Sequence, residues 1–184
     1  MNSTLLTPTR EQALQLLNQY VEIPGLKKHC LTVEAVMRHF ARKHGENEEI
    51  WGIVGMLHDA DYEKFPEQHC FKIAEWLEGW DPVYLRAIQS HGYGICTDVK
   101  PESTMEKTLY AIDELTGLVT ACALVKPSKS FKEVELDSVM KKFKTPSFAA
   151  KVDRSHIQKG ADLLGVDLRD LTGEVITALQ NWEA

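Results

Sequence analysis

Side chains able to bind a metal ion recur along the first part of this chain: His29, the adjacent His58 and Asp59, His69, His91 and Asp113. Neutral imidazole and ionised carboxylate are the ligand types that hold Mn, Fe, Co, Ni or Zn near neutral pH. Three or four imidazoles with two carboxylates are too many for one closed structural zinc, and suit one open site or a pair of ions. The chemistry to expect is metal-assisted. A divalent ion (Mg included) lowers the pKa of water it binds and polarises an oxygen of the substrate.

Such residues must be brought together by the elements that carry them, and nearly all of those read as helix. Arg10 to about Val21 is amphipathic and closes at Pro24-Gly25; a second helix runs from about Leu26 to His44 and stops at Gly45. The third, about Glu48 to His58, is apolar on nearly all sides, which marks a helix buried in the middle of the fold. Its Gly52 and Gly55 lower helix propensity and let neighbouring backbones approach. Pro66 suits the first turn of a helix reaching about Glu78, and Asp81-Pro82 reads as an N-cap and first helical residue of another ending at Ser90 or His91. Ser103 with Glu106 forms a capping box for a long helix from Thr104 to about Val125, broken by Pro127. Beyond it lie a basic helix or loop over about Phe131–Phe143, whose first residues to Leu136 could instead be a short extended piece, a turn at Pro146, a helix after Asp153 and a last helix from about Leu168 to Trp182. The expectation is an all-α, single-domain helical bundle over 1–184, with flanking helices at 9–22 and 147–182.

Turning by about 100° per residue tests which histidines face inward. His29 shares a stripe with Val33, Val36 and Phe40, whereas His39 falls on the polar face and His44 in the last turn, so both of these read as surface residues. His58 and Asp59 close the buried third helix, where an uncompensated carboxylate is costly. Asp59 is placed to bridge two ions, or else to cap the following turn through an Asx bond. His69 lies on the stripe of Ile73 and Trp76, and His91 on the side of Tyr84, Ala87 and Ile88; each is either a ligand or a hydrogen-bonded core histidine. Asp113 sits mid-helix on the shoulder of an apolar face, and asks for a metal or a basic partner. Cys30 and Cys70 follow ligand candidates but should point about 100° away, as small core residues.

In order, spacing and placement, His29 … His58-Asp59 … Asp113 resembles the HD domain superfamily of metal-dependent phosphohydrolases, and His69 and His91 resemble the extra ligands of its two-metal, HDIG-type members. The resemblance covers roughly Leu26 to Val125. It implies one ion held by His29, His58, Asp59 and Asp113, with His69, His91 and bridging Asp59 for a second. It implies Asp59 and His58 at the catalytic centre, and a small anionic substrate, a phosphomonoester or nucleotide. The chain departs from the pattern in reading HDADYEK, which leaves Lys64 as a displaced stand-in for a lysine that many members carry soon after the pair. Lys64, Lys126, Ser128 and Lys129 are candidates to steady phosphate oxygens, the last three being equally readable as a solvated loop. Lys141, Lys142, Lys144 and Arg154 read as surface residues. The same ligand count also resembles di-iron oxygenases on this scaffold, and a nucleotide-binding module without turnover is a third reading.

Composition sets the limits. With 184 residues, 43% hydrophobic and 26% charged, the chain can form a full core. A net charge of −6 offers no basic face for a nucleic-acid polymer or a membrane surface. The four cysteines, Cys30, Cys70, Cys96 and Cys122, form no Cys-x-x-Cys pair, and no leader-like segment or apolar run of membrane-spanning length is present, so reduced thiols in a cytoplasmic protein are expected.

Overall fold

Capping side chains decide where the helices begin. Thr9 and Gln12 form a reciprocal capping box at the start of α1 (Arg10–Tyr20). Asn47 accepts from the Glu49 and Ile50 amides to open α3 (Glu48–Leu57), and Asp81 accepts from the Val83 amide ahead of α4 (Pro82–His91). Ser103 and Glu106 exchange bonds at 3.2 Å each to open α5 (Thr104–Leu124). α2 (Pro24–His44) has no side-chain cap. It starts on Pro24 as first residue, so Pro24-Gly25 opens this helix rather than ending the one before, and it closes on Gly45 in the left-handed conformation. The chain continues through α6 (Leu136–Phe143), α7 (Arg154–Leu164), capped by Asp153, and α8 (Leu168–Trp182).

This computed structural model describes residues 5–182. Among them the protein is all-helical, with short 3-10 turns, two isolated β-bridges and no sheet. No helix formed by these residues is long and apolar enough to cross a membrane. The chain packs as two compact units that divide inside α5, one ending at Leu109 and the other starting at Tyr110.

In the first unit α3 is the central element, packed along α2 and touching α1 and α4. Every residue from Trp51 to Leu57 is buried, as its apolar composition requires. Gly55 lets α2 and α3 approach closely, since a Cβ there would lie 3.0 Å from the Val33 carbonyl oxygen and 3.1 Å from the Glu34 Cα. Gly52 has a different role from the one its sequence suggests: it makes room for the Arg38 side chain rather than for a backbone. That guanidinium bonds Glu34 at 2.9 Å and Glu49 at 2.7 Å, while Arg10 bonds Glu34 at 2.6 and 2.9 Å. Two arginines thus compensate the buried Glu34 carboxylate and tie α1, α2 and α3 together.

The stretch expected to be one helix from Pro66 to Glu78 is instead two 3-10 turns, Pro66–Gln68 and Lys72–Glu75. Between them His69 is extended in ψ at 138° and Cys70 has φ of 70°, so helical continuation is impossible. The cause is Asp61, whose oxygens accept from His69 Nδ1 at 2.8 Å and from the Ile73 amide at 3.1 Å. A local helix signal is overridden by a tertiary hydrogen-bond acceptor.

In the second unit α8 packs on α6 and α7. The piece considered extended at 131–136 begins as a 3-10 turn, Phe131–Glu133. Arg154 is half-buried rather than on the surface: its guanidinium donates to the carbonyls of Ala149 and Val152 at 2.7 Å and to that of Phe148, clamping the turns before α7. Buried His156 stacks on Tyr110 with ring centroids 3.9 Å apart. Gly160 of α7 lies against α5 so closely that a Cβ would fall 2.4 Å from the Ala111 Cα. Alanine normally gains about 1 kcal/mol over glycine inside a helix. Here overpacking against backbone should outweigh that, and Gly160→Ala is expected to destabilise the protein by about 2 kcal/mol, read as a lower denaturant midpoint with an unchanged slope.

Candidate metal centre

His58 is the residue that ends α3, still in helical dihedrals and fully buried, and the chain then runs through consecutive turns to Phe65. Those turns are anchored to the α1–α2 connection. Glu63 accepts the amides of Glu22 and Ile23 at 2.9 Å each, and Lys64 donates to the Gln19 carbonyl at 3.1 Å and to Glu22 at 2.8 Å. This fixes Asp59 beside the N-terminal half of α2, which carries His29. The two remaining histidines come from the other side: His69 from the interrupted segment and His91 from the last residue of α4.

The result is a chain of four imidazoles around one carboxylate. Ring centroids are 5.1 Å apart for His29 and His58, 5.1 Å for His58 and His91, and 5.2 Å for His91 and His69. Asp59 Oδ2 lies 3.7 Å from His29 Nε2 and 3.4 Å from His58 Nε2. Its other oxygen, Oδ1, lies 3.5 Å from His69 Nε2 and 3.6 Å from His91 Nε2. His29, His58 and Asp59 therefore form one group able to hold a metal ion, and Asp59, His69 and His91 a second. Two donors each about 2.0–2.1 Å from a common ion stand roughly 2.9 Å apart at a right angle and roughly 3.4 Å apart at the tetrahedral angle. The four Asp59–imidazole separations sit at and slightly beyond the tetrahedral value, and His29 Nε2 and His58 Nε2, 3.2 Å apart, fall between the two.

Tautomers sharpen the argument. His69 Nδ1 faces the Asp61 carboxylate, and His91 Nδ1 faces the Ile88 carbonyl. His58 Nδ1 is 2.8 Å from the Gly55 carbonyl. Each of these oxygens can only accept, so each Nδ1 carries the hydrogen and each neutral ring turns its Nε2 lone pair inward. Lone pairs aimed at a carboxylate repel unless a cation, a proton or a metal ion, lies between them. Burial by itself would push the Asp59 carboxyl up, but the His58, His91 and His29 imidazoles outweigh it and hold the group well below the usual carboxylate range.

One face is open. Side-chain exposure is 20% at His29, 17% at Asp59 and 12% at His69, so solvent or a ligand can reach the carboxylate while His58 and His91 stay covered. The ring of exposed Tyr62 stands edge-on to His69 at 5.1 Å and flanks this opening.

Five of the six residues singled out as ligands are thus brought together. The sixth, Asp113, is half-buried on α5 within the second unit. Lys126 is half-buried and Ser128 and Lys129 exposed on the turn after α5, also in the second unit; Ser128 Oγ accepts the Ser130 amide at 3.3 Å. His39 is half-buried, with its ring edge-on to Phe40, and lies outside both metal-binding groups. Asp61 was not picked out from the sequence, yet it is the buried carboxylate that holds His69 in its tautomer. The signal was the second acid in HDAD, two residues beyond Asp59. Cys70 is buried, as a small core residue should be, but it does not point away from the ligands, because the helix that would turn it does not form: its sulfur lies 4.0 Å from His91 Nε2 and 3.1 Å from the Cys96 sulfur.

Compared with protein-family models, with curated proteins and with solved structures, the chain gives no match.

Proposed function

We propose that this protein is a metal-dependent phosphohydrolase of the HD type, acting on a phosphomonoester or nucleotide. The observation that carries the reading is the division of Asp59, one oxygen facing the His29–His58 pair and the other the His69–His91 pair. A carboxylate shared in this way suits two divalent ions. Bound there, a divalent ion would lower the pKa of water and polarise a phosphoryl oxygen. Asp59 and His58 hold the centre of the site. The covered His58 and His91 rings exclude solvent from one side, and the exposed edges of His29, Asp59 and His69 leave an approach for the substrate on the other. Lys64 is a candidate for a phosphate oxygen only by leaving Glu22; exposed pairs of that kind are weak, so the exchange costs little.

The test is phosphate release from a panel of phosphomonoesters and nucleotides by protein loaded separately with Mn, Co, Ni and Mg. Release that depends on the metal and stops with chelator is expected. Four histidines around a carboxylate also suit a di-iron oxygenase, and two irons per chain with O2 uptake and no phosphate release would replace the hydrolase reading with that one.

A further inference from the structure

Cys70 and Cys96 come from different segments and meet beside the metal centre. Cys70 follows His69 directly, and Cys96 lies in the loop that follows His91. That loop is wound tightly on itself: the Gly92 carbonyl accepts the amides of Ile95 and Cys96 at 2.9 Å each and of Thr97 at 3.2 Å, and Thr97 Oγ1 donates to the Gln89 carbonyl at 2.8 Å. The winding carries the Cys96 sulfur back over Gly92. A Cβ on Gly92 would fall 2.3 Å from the Cys96 sulfur and 2.9 Å from the Cys70 sulfur, so the two sulfurs occupy the space that only glycine leaves. Cys70 itself sits at φ 70°, a left-handed conformation unfavourable for a residue with a side chain. Backbone strain, a required glycine and a wound loop all converge on one sulfur–sulfur contact of 3.1 Å. That contact is about 1 Å longer than the roughly 2.05 Å of a disulfide.

We propose that Cys70 and Cys96 are a redox site that closes reversibly into an intramolecular disulfide when the protein meets hydrogen peroxide. Cys96 is partly exposed and Cys70 fully buried, which assigns their roles. The Cys96 sulfur attacks a peroxide oxygen, breaking the O–O bond to give a sulfenic acid and one water. The Cys70 sulfur then displaces the sulfenic oxygen as a second water, and the S–S bond forms. Two thiols lose two electrons and the peroxide gains them. The competing use of these sulfurs, a soft metal site completed by His69, is disfavoured because Nδ1 of that ring is held by Asp61 and Nε2 faces Asp59. The bridge would tie the chain just after His69 to the loop just after His91, the two residues that share Asp59 Oδ1.

The test uses the whole protein after chelator treatment, so that its outcome is independent of whether the centre binds metal. After hydrogen peroxide, the expected result is a monomer lighter by two hydrogens, with titratable thiols falling from four to two. One peptide linking Cys70 to Cys96 should appear, and dithiothreitol should reverse it. Cys96→Ser, with its helical circular dichroism unchanged, should form no such link. A Cys96 oxidised to sulfinic acid without a bridge, or a bridge to Cys30 or Cys122 instead, would overturn the proposal.

Discussion

Asp59→Ala is expected to abolish metal binding at both groups of the centre. Among the described residues no other belongs to both: Oδ2 faces the His29–His58 pair and Oδ1 the His69–His91 pair. Its removal leaves two pairs of neutral imidazoles with no anion between them to offset a divalent charge. The helices should survive, since the contacts that hold the first unit together are those of α3 with α1, α2 and α4. Metal per chain should therefore fall to background, and any phosphate release with it, in a protein whose circular dichroism is unchanged. His39→Ala, on α2 but outside both groups, should keep full metal content. Retained stoichiometry in the Asp59 variant, or its loss in the His39 variant, would contradict the assignment.

Asp61→Asn is expected to weaken metal affinity without removing a ligand. The carboxylate presents one oxygen to His69 Nδ1 and the other to the Ile73 amide. An amide has only one oxygen, so its NH2 would face one of these two donors. Either the His69 ring turns and loses its orientation toward Asp59, or the buried Ile73 amide loses its acceptor. Partners of this kind on metal-bound histidine typically contribute roughly 10–100-fold in affinity. Titration against a chelator of known affinity measures the change directly. An affinity equal to that of the unaltered protein would show that Asp61 serves the fold alone.

Much of the scaffold could be read from local chemistry. Asp81-Pro82, Ser103 with Glu106, Asp153 and Gly45 act within one turn of themselves, and each bounds a helix where the sequence says it should. His58 and Asp59 were legible for the same reason, because an all-apolar helix must be buried and its last residues carried inward. What could not be read depends on partners distant in the chain. The 66–78 segment carries a helix signal in Pro66, but Asp61 takes both the His69 ring and the Ile73 amide and breaks it. The Cys70–Cys96 contact exists only because that helix is broken and the 92–97 loop folds back on Gly92. Arg154 looks like a surface cation by type, and is a clamp because three carbonyls of the preceding turns converge on it.

The most direct measurement is elemental analysis of the purified chain after incubation with Mn, Fe, Co, Ni, Zn and Mg in turn and removal of unbound ion. One or two divalent ions per chain, released by chelator and absent from the Asp59→Ala variant, is the predicted result. A correctly folded protein that retains none of these ions would contradict it.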